Sequence, residues 1–207
     1  MTERPILFSD PMVRAILAGA KTQTRRIMKP QPTRVDGGVP FGDGPKWARA
    51  TPGSAVIGCP HGKRGDRLWV REAHYIIGEH REVFFRATQD SNNSPTLSWP
   101  GPWRPSIHMP RWASRITLEV TGVRCERLRD ISEADAQAEG VERTVTGDGW
   151  RRYADPSWEA VGLPPFADAR SSFRSLWEHI NGTGSWDANP WIWVVSFRRL
   201  DAKEAGS

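Results

Sequence analysis

The sequence predicts an α+β fold in which short helices lie against a small β-barrel. Strand-like segments outnumber helical ones, the helices are short, and the two do not alternate in the β-α-β order that builds a parallel sheet. Three stretches without sustained period, at about 27–64, 88–113 and 141–165, are rich in proline or glycine and interrupt the regular segments as insertions. With 207 residues the chain suits one well-buried domain spanning 1–207 better than two.

The first helix starts at Asp10 and Pro11, an N-cap residue followed by a ring pre-set for the first turn, and Val13, Ile16, Leu17 and Ala20 form its apolar stripe. Gly19 supplies the left-handed stop. Directly after it stand Lys21, Thr22, Thr24, Arg25 and Arg26, groups that contribute little to a core but are held rigidly by a tight helix end. Gly65-Asp66 turns the chain into a strand at 67–72, and further strand pieces follow at 75–77 and 82–87. The alternation from Arg115 to Val123 places Ile116, Leu118 and Val120 on one face of a half-buried strand that continues to Leu128.

A second helix is predicted over 131–140, with Ser132 and Asp135 approximating a capping box and Gly140 as the stop. Glu139 falls in its last turn, where the helix dipole disfavours an anion by roughly 0.3–1 kcal/mol, so the residue calls for another duty. A third helix over about 167–180 carries Phe173, Leu176, Trp177 and Ile180 as a packing stripe. The final strand, 190–200, is apolar through Trp191–Val195 and is expected to be central and covered on both faces.

The longest apolar run is far too short for a membrane span and the N-terminus has no signal-peptide pattern, so a soluble cytoplasmic protein is expected. A net charge of +5 favours anionic partners, nucleic acid or a nucleotide-like substrate. Eleven tryptophans stand against two tyrosines; most serve packing, while those flanked by arginine and proline, as at Trp99 and Trp103, offer faces on which a base can stack. Cys59 and His61 form at most half of a metal site, since no second pair at ligand spacing follows, and no metal or other cofactor is predicted.

Taken together, ILAGAKTQTRR after a short helix, GDRLWVRE entering a strand, ITLEVTGVRCERLRDISEADAQAEG and the terminal WIWVVSFRR resemble the ASCH domain, a small β-barrel related to the PUA fold of RNA-binding modules. The resemblance covers about half of the chain, and the three insertions look like those of phage- and prophage-borne members. It implies a PUA-like barrel and admits both RNA-binding proteins and enzymes. The enzymes that the chain resembles are the N4-acetylcytidine amidohydrolases, with a KTxTxR motif after the helix and a glutamate in the helix beyond the central strands. The motif lysine falls on Lys21, its second threonine on Thr24, its arginine on Arg26 and the glutamate on Glu139, while Arg25 stands where the family has an apolar residue.

Amide cleavage needs a nucleophile, a base, oxyanion stabilisation and a proton for the leaving amine. Thr24 can supply the first, a desolvated Lys21 the second, and Glu139 can relay protons. Strict strand alternation would separate Lys21 from Thr24, so the scheme requires Lys21 to lie in the turn after Gly19. Thr22, Arg25, Arg26, Trp69 and Trp103 are the candidate substrate contacts. The competing expectations are a non-catalytic RNA-binding module and a ribonuclease using the same lysine and threonine.

Overall fold

A computed structural model of the chain describes residues 1–32, 34–35, 48–49, 56–77, 82–89, 103–155, 157–201 and 204. In chain order the elements are β1 (Glu3–Leu7), α1 (Asp10–Leu17), β2 (Gln23–Ile27), β3 (Arg34–Val35), β4 (Ala48–Arg49), β5 (Val56–Ile57), β6 (Arg67–Arg71), β7 (His74–Ile77), β8 (Glu82–Phe85), β9 (Thr117–Arg127), α2 (Glu133–Ala138), α3 (Ala169–Asn181) and β10 (Trp191–Arg199). Five of the strands form the main sheet in the order β1-β6-β9-β10-β2, antiparallel at every step except β1 with β6.

The α+β class is therefore as the sequence predicts, but the sheet is not a closed barrel: among the described residues no ladder joins its edge strands β1 and β2. A side chain connects them instead, Arg26 donating from Nη2 to the Leu7 carbonyl at 2.6 Å. Strand β1 has no counterpart in the sequence reading, because a short segment holding Pro5 and burying only Ile6 carries almost no alternation.

β10 is an interior strand of the sheet, between β9 and β2, and feeds both cores. Trp193, Val195 and Phe197 enter a first core with Ile6, Val13, Ile16 and Leu118, whereas Ile192 and Val194 enter a second core with Leu128, Phe173, Trp177 and Trp186. Both faces are covered, which is why the strand shows no polar alternation. The second core also takes Val141 and Trp150, so the stretch after residue 140 is irregular in backbone yet packed. The first insertion contains the three-stranded sheet β3-β4-β5, and β7 pairs with β8 in a sheet of their own. Trp99 lies outside the described residues.

Helix boundaries follow the local chemistry with small shifts. Ser9, in extended conformation, is the N-cap of α1, and Asp10 is its first residue. The helix ends at Leu17, leaving Ala20 exposed rather than on the buried stripe. Gly19 has a φ of +76°, and the amides of Ala20 and Lys21 both donate to the Ala15 carbonyl, at 2.9 and 3.0 Å. α2 is capped by the Ser132 hydroxyl accepting from the Asp135 amide, and α3 by Asp168 accepting from the Ser171 amide. Among the described residues no helix is long and apolar enough to cross a membrane.

Candidate active site

Two short helices stop beside one strand edge, and their stops bring the reactive groups together. Lys21 lies in the turn after Gly19, ahead of β2, which frees it from strand alternation. The next amide, of Thr22, donates to the Ala138 carbonyl at 2.8 Å, and the Thr22 carbonyl accepts from Phe197 at 2.8 Å, so the end of α2 is tied to the start of β2. Gly140, with φ +80°, completes the junction: a Cβ built on it would stand 2.8 Å from Lys21 Cβ and 2.9 Å from Ala15 Cβ. Only glycine lets these chain segments approach so closely.

Glu139, the C-cap of α2, is clamped by one cation on each carboxylate oxygen. Lys21 Nζ donates to Oε2 at 2.9 Å and to the Glu139 carbonyl at 2.7 Å, and Arg25 Nη1 donates to Oε1 at 3.0 Å. The two cations differ in origin: Lys21 comes from the turn ahead of β2 and Arg25 from within the strand. Arg25 pairs with Val194, which enters the second core, whereas Thr24 and Arg26 pair with Val195 and Trp193 of the first. Because β2 is an edge strand, groups from both faces meet around its open side. An anion unfavourable to its own helix dipole is thus offset by buried tertiary partners.

Arg25 is itself fully buried and holds two further carboxylates, Glu126 at 2.8 Å and Asp135 at 3.4 Å. Arg124 holds the same two, at 2.9 and 3.0 Å. Three cations and three carboxylates thus run from Lys21 to Arg124 beneath α2. Glu126 and Arg124 reach this side through a β-bulge. The β9–β10 register slips between Ser196 and Phe197, leaving Thr121 unpaired, so Leu118 and Val120 share the first core with Val123 while Arg124 faces the other way with Val194.

A cavity of about 790 Å³ opens against this edge, walled by Phe8, Asp10, Thr24, Arg26, Glu139 and Trp177 among others. Thr24 is 3 % exposed, and its hydroxyl has no hydrogen-bond partner among the described residues. Lys21 sits behind Glu139 rather than on the cavity wall, and no hydrogen bond joins it to Thr24. The cations Lys21 and Arg26 lie over the Phe8 ring, at 5.7 and 5.4 Å from its centre.

Of the other predicted contacts, Arg25, Arg26 and Trp103 line the cavity. Trp69 does not: it lies on the face of β6 opposite Leu68 and Val70 and stacks with Arg71 at 4.6 Å. The Thr22 side chain is exposed and away from the cavity wall, its contribution being the backbone bridge. Leu176 packs against the second core as expected and also lines the cavity, whereas Ile180, expected to pack a core, is cavity wall and 54 % exposed. Asp10, His61 and Trp177 are cavity residues that the sequence left as a cap, half a metal site and a packing residue. Glu126 and Arg124 carried one sequence signal, a charged pair two residues apart at the end of an apolar strand.

Burial drives the Lys21 amine below its ordinary value; Glu139 opposes this, and Arg26 and Arg25 add to it. His61 is pushed down to about 4, first by burial and then by Arg26 and Arg4, so it stands neutral at pH 7. Burial raises the two thiols, Cys59 to about 11 and Cys125 to about 12. Neither forms a thiolate nucleophile at neutral pH, and neither lines the cavity; the hydroxyls that do are those of Ser9, Thr24 and Ser106, of which Thr24 shares the wall with Glu139 and Arg26 as the sequence predicts.

The fold and site define an α+β protein with a buried lysine–carboxylate pair at the edge of a cavity. Comparisons with protein-family models, curated proteins and solved structures give no match to the chain.

Proposed function

We propose that this protein is an amidohydrolase that removes the acyl group from N4-acylated cytosine or cytidine, in a variant of the PUA-like ASCH fold. The observation that carries the proposal is a cavity-lining hydroxyl, Thr24, with no partner among the described residues, on the same wall as a carboxylate held by a fully buried lysine of lowered pKa. A neutral amine has two N–H bonds and one lone pair. The two hydrogen bonds from Lys21 to Glu139 use both N–H groups and leave the lone pair able to take a proton.

In the proposed reaction the Thr24 oxygen adds to the acyl carbonyl while its proton passes to the Lys21–Glu139 pair. The oxyanion develops toward the Arg26 guanidinium, which lines the same cavity. Collapse breaks the carbon–nitrogen bond, the amine of cytosine takes the proton back from the pair, and water releases the acyl group from Thr24 as a carboxylic acid. The chain of groups needs no metal. Trp103 on the wall offers a face for the pyrimidine, and the partner is a small nucleobase or nucleoside.

The test is incubation with N4-acetylcytidine, followed by the ultraviolet change as cytidine appears; Thr24→Ala should abolish it. A second reading, a non-catalytic RNA-binding module, draws on the net charge of +5 and on Trp103 and Arg26 lining one cavity. RNA binding that weakens steeply with salt, together with no turnover of acylcytidine, would favour it. A ribonuclease would instead shorten RNA in the same incubation.

A further inference from the structure

Three residues that line the cavity each hold a buried polar atom with no hydrogen-bond partner among the described residues: Asp10 Oδ1, Arg26 Nε and Trp177 Nε1. They come from α1, β2 and α3, so three separate elements each leave one group unsatisfied around one space. The partial occupation of two of them is informative. Asp10 uses its other oxygen on Arg86 Nε, and Arg26 uses Nη2 on the Leu7 carbonyl, which fixes both side chains while leaving one atom of each uncommitted. Trp177 is 5 % exposed and held against Phe173, with ring centres 6.1 Å apart. An unmade hydrogen bond on a buried group is costly, and a cluster of three around a cavity points to partners supplied by a ligand.

We propose that Asp10 and Trp177 are substrate-recognition residues: with Arg26 they read a nucleoside, Trp177 and Arg26 donating to acceptors of the pyrimidine and Asp10 accepting from a sugar hydroxyl. This rests on the acylcytosine reading for the reactive end of the ligand. The chemistry then assigns the donor. A 1-substituted N4-acylcytosine carries one N–H, that of the amide being cleaved, so the hydrogen that Asp10 takes comes from the sugar. The ring carbonyl and ring nitrogen supply the two acceptors.

Binding is measured by calorimetry in a Thr24→Ala background, with N4-acetylcytidine and with N4-acetyl-1-methylcytosine, which has no sugar. Trp177→Phe, which keeps a ring against Phe173, should weaken binding of both probes about 3- to 10-fold, the worth of one neutral hydrogen bond. Asp10→Ala should weaken the nucleoside about 10-fold or more and leave the methylated base within about 2-fold, because that probe never uses Oδ1. Arg86→Ala breaks the same ion pair but keeps Oδ1, so the preference for the nucleoside should survive in it. Equal affinities of Trp177→Phe and its parent, or a sugar preference retained in Asp10→Ala, would mean that water alone satisfies these atoms and would overturn the proposal, as would a parent that binds neither probe. Turnover by the protein with Thr24 intact is scored separately: binding as described without hydrolysis removes the amidohydrolase and keeps the recognition set.

Discussion

Gly140→Ala is the sharpest test of how the site is built. The backbone at Gly140 has φ +80°, where an L-residue costs about 1–2 kcal/mol. The added methyl would also meet Lys21 Cβ at 2.8 Å and Ala15 Cβ at 2.9 Å, against an optimum of about 3.5–4.0 Å between carbons. Both neighbours are the first side-chain atom on a fixed backbone, so they yield only if α1 and the turn after it move, a crowding worth about 1–3 kcal/mol. Gly147→Ala is the control, since its φ is +76° and nothing stands within 4 Å of its added Cβ. Urea unfolding followed by tryptophan fluorescence should therefore show a loss of about 1–2 kcal/mol for Gly147→Ala and about 2–5 kcal/mol for Gly140→Ala. Displacing Lys21 from Glu139 should remove hydrolysis in the second variant only. If the two variants lose the same stability within about 0.5 kcal/mol, the tight junction is not a packing constraint and the account of the site's assembly is wrong.

Three other outcomes test the electrostatics. Arg25→Gln removes a fully buried cation from Glu139, Glu126 and Asp135 and should cost about 3–5 kcal/mol in denaturant unfolding; a loss under about 1 kcal/mol would show that the carboxylates rearrange freely. With Lys21 lowered from 10.5, activity should rise with pH along a limb below the ordinary lysine range, and Lys21→Arg should be inactive because guanidinium cannot accept the proton; a pH-independent rate or an active arginine variant would shift the base to Glu139. His61 has its folded value pushed from 6.5 to about 4, so the unfolded chain binds more protons between these values. Its neutral form should therefore be lost as a source of stability when pH falls from about 6.5 to 4, by about 3 kcal/mol at most, and His61→Phe should flatten that part of the stability–pH curve.

Much of this protein is determined by local chemistry that the sequence displays. The cap, stripe and glycine stop of α1, the Ser132 cap and Gly140 stop of α2, the alternation of Ile116, Leu118 and Val120, and the wholly apolar β10 each follow from the preferences of neighbouring residues. The turn position of Lys21 and the misfit of Glu139 with its helix dipole were legible for the same reason, as conflicts within one element. What only the tertiary structure decided are relations between elements distant in sequence. Arg25 became a clamp because the end of α2 lies beside edge strand β2 and brings Glu139 to it, and the sheet is open because, among the described residues, no ladder links β2 to β1. Arg124 and Glu126 follow Val120 at even spacing, which in an unbroken strand would bury them in the first core; the bulge at Thr121 turns them to the site instead. Trp177 carried the same helical periodicity as a core residue, and whether its indole N–H meets protein or an open cavity depends on what α1 and β2 place opposite it. Periodicity reports which side of an element is covered, whereas the identity of the covering surface is set by the packing of the whole chain.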